Sequence, residues 1–234
     1  MIFRRFSLGG CAVLAVTAVV VLAGCSPGMS AAIDSLKLAA LSGRGPDTAK
    51  LDPEFAYLRI TRGRQVVLFW RGLIERTGEG PVEIYYSGEG EVLRLRDGRL
   101  VGVSGLPTEW TAVTDRAPAW SALVNAGKPV AFVRVRDVMP GYRSGLRDEL
   151  TLTRIAAPER SALQAVDPQT LAWFEERMRG RHSAADALPP ARYALDLSGT
   201  QPVVVYSEQC VAGDFCFTWQ RWSTAMQQAS AQPR

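Results

Sequence analysis

Few side chains in this sequence carry reactive groups in a setting that would use them. Cys25 stands where an apolar run turns polar, in V-V-L-A-G-C-S-P over positions 20–27. A thiol there is an accessible nucleophile flanked by small residues. Cys210 and Cys216 bracket Val-Ala-Gly-Asp-Phe between two strand-like runs. In an exported chain their oxidised pair is the expected state, and closing so short a loop stabilises a fold by about 2 kcal/mol. The spacing is not C-x-x-C, so no thioredoxin-type redox role is expected. Zinc would need two further ligands, and His182 is the single histidine.

A nucleophilic triad needs a base, and a single histidine confines that search to His182. His182 lies in a loop-like stretch before Pro189-Pro190, the setting of a solvated side chain. Gly102-Val-Ser-Gly105 is not the G-x-S-x-G elbow. Gly88-Glu-Gly90 lacks the third glycine and the helix of a dinucleotide site, and no Walker A pattern occurs. Glu83, Glu89, Glu91 and Asp97 could supply a glycosidase pair, but they fall where strand faces and turns ordinarily carry charge. No catalytic residue, metal or cofactor is expected. Tryptophan faces stack on sugar rings and arginine forks grip acidic substituents. Core packing is the plainer role for the six tryptophans, with Trp110, between Thr108-Glu109 and Thr111, the expected exception.

The N-terminus says where the chain goes. Arg4 and Arg5 precede the mostly apolar Leu8–Val21, shorter than the roughly 20 residues of a membrane span. A charged start, a short apolar middle and small residues at the end describe a secretory signal. Leu22-Ala23-Gly24-Cys25 resembles the lipobox of bacterial lipoproteins. That resemblance implies diacylglycerol on the Cys25 thiol, cleavage before it and acylation of the new amine. Three acyl chains give stable membrane residence. Ser26 in the second mature position implies release to the outer membrane, lipid-anchored and facing the periplasm. Arg4 and Arg5 supply half of the formal charge of +4, so the mature chain is near neutral and carries no nucleic-acid footprint.

The expected organisation is a signal over 1–24, a lipidated tether over 25–51, a single β-rich domain over 52–222 and a disordered tail over 223–234. In the tether, Ser30–Leu41 has the spacing of a short helix stopped by Gly43. From Asp52 the period falls to two. Ala56-Leu58-Ile60, Val66–Ile74 and Pro81–Tyr86 read as strands. Asp97-Gly98 suits a type I′ turn within Val92–Val103, pairing Leu95 with Leu100, Arg96 with Arg99 and Arg94 with Val101. Val130–Arg136 and Leu150–Ile155 read as partners across a Pro140–Gly145 loop. A helix is expected over Asp167–Arg179, with Asp167 as cap, Pro168 at its first position and Leu171, Phe174 and Met178 on one face. Tyr193–Leu197, Pro202–Glu208 and Phe215–Trp222 close the domain as strands.

Gly98-Arg99-Leu100-Val101 through Gly105-Leu106, then Arg136-Asp137 ahead of Pro140-Gly141-Tyr142, resemble elements of the YjbF/GfcB lipoproteins of group 4 capsule and related exopolysaccharide export. The likeness runs from about Asp52 to Leu152 and more loosely to Trp222. The Cys210–Cys216 pair and the helix expected after Asp167 are not part of it. The elements sum to a mainly β, antiparallel domain with one or two short covering helices, and the resemblance implies that its sheet is coiled or bifurcated. It also implies a non-enzymatic accessory role beside outer-membrane export proteins, with polysaccharide as a further partner. Trp110, Arg99 and Tyr142 are the expected glycan or partner contacts. Two other readings stand beside this one, a glycan hydrolase or modifying enzyme of the envelope and a structural envelope lipoprotein.

Overall fold

The computed structural model describes residues 49–180, 183 and 186–231. The signal segment, Cys25, the Ser30–Leu41 helix and His182 lie outside the described residues. Local chemistry sets the turns. Asp97 and Gly98 take φ of 50° and 77°, as a type I′ turn demands, and join β4 (Val92–Arg96) to β5 (Arg99–Ser104). Gly98 has a second reason to be glycine, because a Cβ there would meet the Val204 side chain at 2.5 Å.

The other strands are β1 (Tyr57–Arg62), β2 (Gln65–Thr77), β3 (Gly80–Tyr86), β6 (Glu109–Asp115), β7 (Val130–Met139), β8 (Arg143–Ile155), β9 (Ala172–Met178), β10 (Ala191–Asp196), β11 (Val203–Ala212) and β12 (Phe215–Trp222). Each pairs antiparallel with its neighbours in sequence, and β12 pairs with β1, Tyr57 opposite Trp222. The expected mainly antiparallel β domain is therefore a closed up-and-down barrel. The coiled sheet goes further than expected and closes on itself. Register shifts between Arg71 and Leu73, Arg94 and Leu95, Trp110 and Ala112, and Arg136 and Val138 add twist, which curls the sheet until its first and last strands meet. One shift corrects the expected hairpin register. Leu95–Leu100 and Arg96–Arg99 pair as expected, but Arg94 faces Gly102 because Val101 bulges out of the ladder.

Alternation sorts the faces. Phe132, Arg134, Arg136 and Val138 of β7 are buried while the residues between them are not. The main core joins Leu58, Tyr85, Leu150, Phe174, Tyr193 and Trp219 from around the barrel. Outside, Arg177, Glu175, Arg192 and Glu208 form an ionic ladder over β9–β11, and Arg147 and Glu149 of β8 are about 60% exposed. Charge on the outer faces of β8–β11 is unlike the apolar lipid-facing band of a membrane-spanning barrel. No helix among the described residues is long and apolar enough to cross a membrane.

The expected Asp167–Arg179 helix is corrected too. Asp167 does cap, accepting from the Gln169 N–H at 2.9 Å, but only a 3-10 turn over Pro168–Thr170 follows. β9 then pairs on both sides, with β8 and β10, and two ladders outweigh a helical spacing of three apolar residues. Helix α1 (Trp120–Ala126) lies in the β6–β7 connection, ends at Gly127 in the left-handed region and buries Trp120 and Leu123. Helix α2 (Thr224–Ala231) occupies the segment expected to fray. Its Met226 packs against Leu51, Tyr57 and Trp222, and Gln227 Nε2 donates to Ala49 O at 2.9 Å. Between β8 and β9, Ala162, Leu163 and Leu171 cover Trp173 and Tyr206 on the outer wall.

Candidate functional site

An up-and-down barrel has two ends. The β1–β2, β3–β4, β5–β6, β7–β8, β9–β10 and β11–β12 connections lie at one, called the mouth. The other connections lie at the base with the start of β1 and the end of β12.

Against β6–β11 the interior is filled by an ionic network. Asp148 Oδ2 accepts from Arg134 Nε and Nη2, each at 2.9 Å, and from Arg136 Nε at 2.8 Å. Arg134 Nη1 reaches Glu176 Oε1 at 3.0 Å. The Tyr193 hydroxyl lies 3.4 Å from both Glu176 Oε2 and Gln209 Oε1. Gln209 crosses the barrel, donating to Gly98 O at 3.2 Å and accepting from Leu100 N–H at 3.0 Å. Burial alone would push the Arg134 guanidinium down, but Glu176 and Asp148 outweigh it and hold it above its ordinary value. Burial, then Glu176, pushes the Tyr193 phenol well up. Arg136 Nη2 donates to Asp186 O at 2.8 Å and Arg143 pairs with the Asp186 carboxylate at 2.6 Å, drawing the β9–β10 connection over this region. The space left is about 10 Å³, one water at most. This network braces the barrel and offers no room for a substrate.

Two of the three contact residues expected from sequence are inside. Trp110 is 2% exposed, donates from Nε1 to Val211 O at 2.9 Å and has Arg134 and Arg136 at 5.0 and 5.2 Å from its ring. Arg99 is 6% exposed, lies 3.8 Å over the Trp120 ring and donates to Pro118 O at 3.1 Å. Neither has a surface to offer a glycan, which corrects that assignment. Tyr142 is 84% exposed at the β7–β8 turn, and the three are not brought together. Cys210 and Cys216 are bonded as a disulfide between paired residues of β11 and β12. Glu83 is held by Arg71 at 2.7 Å and Arg221 at 2.8 Å at the base. Glu91 binds the Ser87 hydroxyl in the β3–β4 connection.

Against β1, β2, β4, β5 and β12 the mouth stays open. A cavity of about 250 Å³ lies there, lined by the apolar side chains of Ile60, Val67, Phe69, Leu93, Val103, Leu106, Pro107, Phe215 and Phe217. Phe69, Leu93, Val103 and Phe217 are buried and form its floor. Its polar side chains, Arg62, Gln65 and Glu91, sit at strand ends on the rim. The Arg62 guanidinium lies 3.9 Å over the Phe215 ring. Gly105 shapes the lip. Its φ is 82°, and a Cβ would meet Glu91 Cα at 2.9 Å and Gly90 O at 3.0 Å, so only glycine lets the β5–β6 loop close on the β3–β4 loop. Sequence reasoning passed over these residues because each reads as an ordinary inward strand position. The Gly105-Leu106-Pro107 break was the one available signal.

No family model matches this chain, and no curated protein does. Among solved structures, the hypothetical lipoprotein YmcC from Escherichia coli K12 is 16% identical, with a TM-score of 0.48. That match covers 83% of this chain and 92% of the other.

Proposed function

We propose that this chain is an envelope lipoprotein, anchored through Cys25 at the outer membrane and facing the periplasm, that works by binding as a non-enzymatic accessory in assembly or export of capsular or extracellular polysaccharide. The observation that carries the reading is Leu22-Ala23-Gly24-Cys25-Ser26 behind a short apolar run, which is the local chemistry of an acylated cysteine. The resemblance of the Gly98–Leu106 and Arg136–Tyr142 stretches to the YjbF/GfcB lipoproteins supports the polysaccharide role. The charged outer faces of β8–β11 support an anchor outside the barrel, since charge there gains nothing from lipid. Among the described residues Glu91 is the one acidic side chain lining the mouth cavity, which favours binding over a two-carboxylate hydrolysis there.

Labelled palmitate tests the anchor. It is expected in the wild type and absent from Cys25→Ala, and label retained by that variant overturns the acylation. Deleting the gene tests the role. Loss of surface polysaccharide is expected, and unchanged polysaccharide leaves the chain a structural envelope lipoprotein.

A further inference from the structure

We propose that the mouth cavity binds one medium-length fatty acid, with its chain among the apolar side chains and its carboxylate against Arg62. The inference rests on the cavity alone and holds wherever the chain is anchored. The floor of Phe69, Leu93, Val103 and Phe217 presents no hydrogen-bonding side chain. A sugar inserted there would leave buried hydroxyls unpaired, whereas a methylene chain loses nothing and gains from every CH₂ it buries. Size limits the guest. A space of about 250 Å³ is at the small end of ligand cavities, which run from roughly 300 Å³ upward. It suits one chain better than the paired chains of a diacyl lipid.

Charge selects the head. Arg62 is exposed at the end of β1, and no carboxylate among the described residues forms an ion pair with it. Glu91, the acid across the rim, is tied to Ser87 by its side chain and by its own N–H at 3.0 Å from the Ser87 hydroxyl. Stacking on Phe215 fixes the Arg62 guanidinium beside the opening and leaves its edge N–H groups to grip a planar anion in two places.

Titration of the purified full-length chain in amphipol with radiolabelled decanoate tests this. Saturable binding is expected, with decanol about tenfold weaker. Arg62→Gln should abolish that tenfold preference while leaving decanol binding unchanged. Leu106→Trp, which fills the cavity, should weaken both ligands at least tenfold. A decanoic acid bearing an alkyl diazirine should label peptides containing Phe69, Leu93 or Phe215. Absence of binding, labelling confined to other peptides, or wild-type affinity in both variants overturns the site. Tenfold tighter binding of decanoyl lysophosphatidylglycerol than of decanoate overturns the carboxylate assignment in favour of a phosphate head. If Leu106→Trp fails to fold, Arg62→Gln on the rim decides the matter.

Discussion

Arg134 and Asp148 face each other across β7 and β8 inside the barrel, two guanidinium nitrogens each 2.9 Å from one carboxylate oxygen. Arg136 donates to that same oxygen at 2.8 Å, so one acid holds two buried cations. Asp148→Ala is expected to destabilise the fold by about 3–5 kcal/mol, because uncompensated buried charge is what makes breaking such a pair costly. Urea denaturation measures it. Glu149→Ala, one residue along and facing out, should fall within about 0.5 kcal/mol of wild type.

Acid sensitivity is expected to come from the base of the barrel. Burial pushes the Glu83 carboxyl up, but hydrogen bonds and charge from Arg221 and then Arg71 outweigh it and leave it below its usual value of 4.5. A depressed carboxyl gives stability that is complete above the unfolded value and is lost as pH falls through the folded one. The gap in melting temperature between wild type and Glu83→Gln should therefore be full at pH 7. It should narrow from about pH 4.5 downward. A gap that stays constant to pH 2 contradicts the assignment.

At the alkaline end the sign reverses. Burial first, then the Glu83 charge, pushes the Tyr85 phenol up to about 12 against the opposing pull of Arg221. Burial pushes Tyr193 and Tyr206 up as well. Stability from these groups is complete below pH 10 and is lost above it. Absorbance at 295 nm should show these tyrosines ionising late, together with loss of the native circular dichroism. Tyr85→Phe should move that transition to higher pH.

The Cys210–Cys216 bond closes a very short loop between paired residues. Replacing both with serine is expected to lower stability by about 2 kcal/mol without changing the far-ultraviolet circular dichroism. The bond flanks Phe215 and Phe217 of the cavity wall, so affinity for decanoate should also weaken in the reduced protein.

Gly105→Ala meets both a positive φ and backbone at 2.9 Å. A loss of about 1–3 kcal/mol is expected, which is several degrees in melting temperature for a domain of this size. Gly78→Ala, with nothing within 4 Å of its Cβ, should melt like wild type.

What could be read from sequence was local. Asp97-Gly98 fixes its own turn, and Pro81–Tyr86 or Phe215–Trp222 announce strands by composition. Met178 shows where this fails. Leu171, Phe174 and Met178 fit a helical face, yet Ala172, Phe174, Glu176 and Met178 form the inward side of β9. Glu176 hid that alternation, because the partner that lets a carboxylate point inward, Arg134, lies on a strand far away in sequence. Trp110 was misjudged for the mirror reason. Polar residues surround it along the chain, while its real neighbours, Val211 and the two arginines, come from β11 and β7. The cavity was illegible because concavity belongs to five strands at once and to no stretch of residues.

The pairing of Tyr57 with Trp222 has a consequence for biogenesis. A polypeptide made N-terminus first must keep an adhesive strand rim in solution until its last segment arrives, and only then can the two rims annul each other. A premature stop ahead of Phe215 should thus yield not a weakened protein but a sticky one, cleared by proteases or found in aggregates.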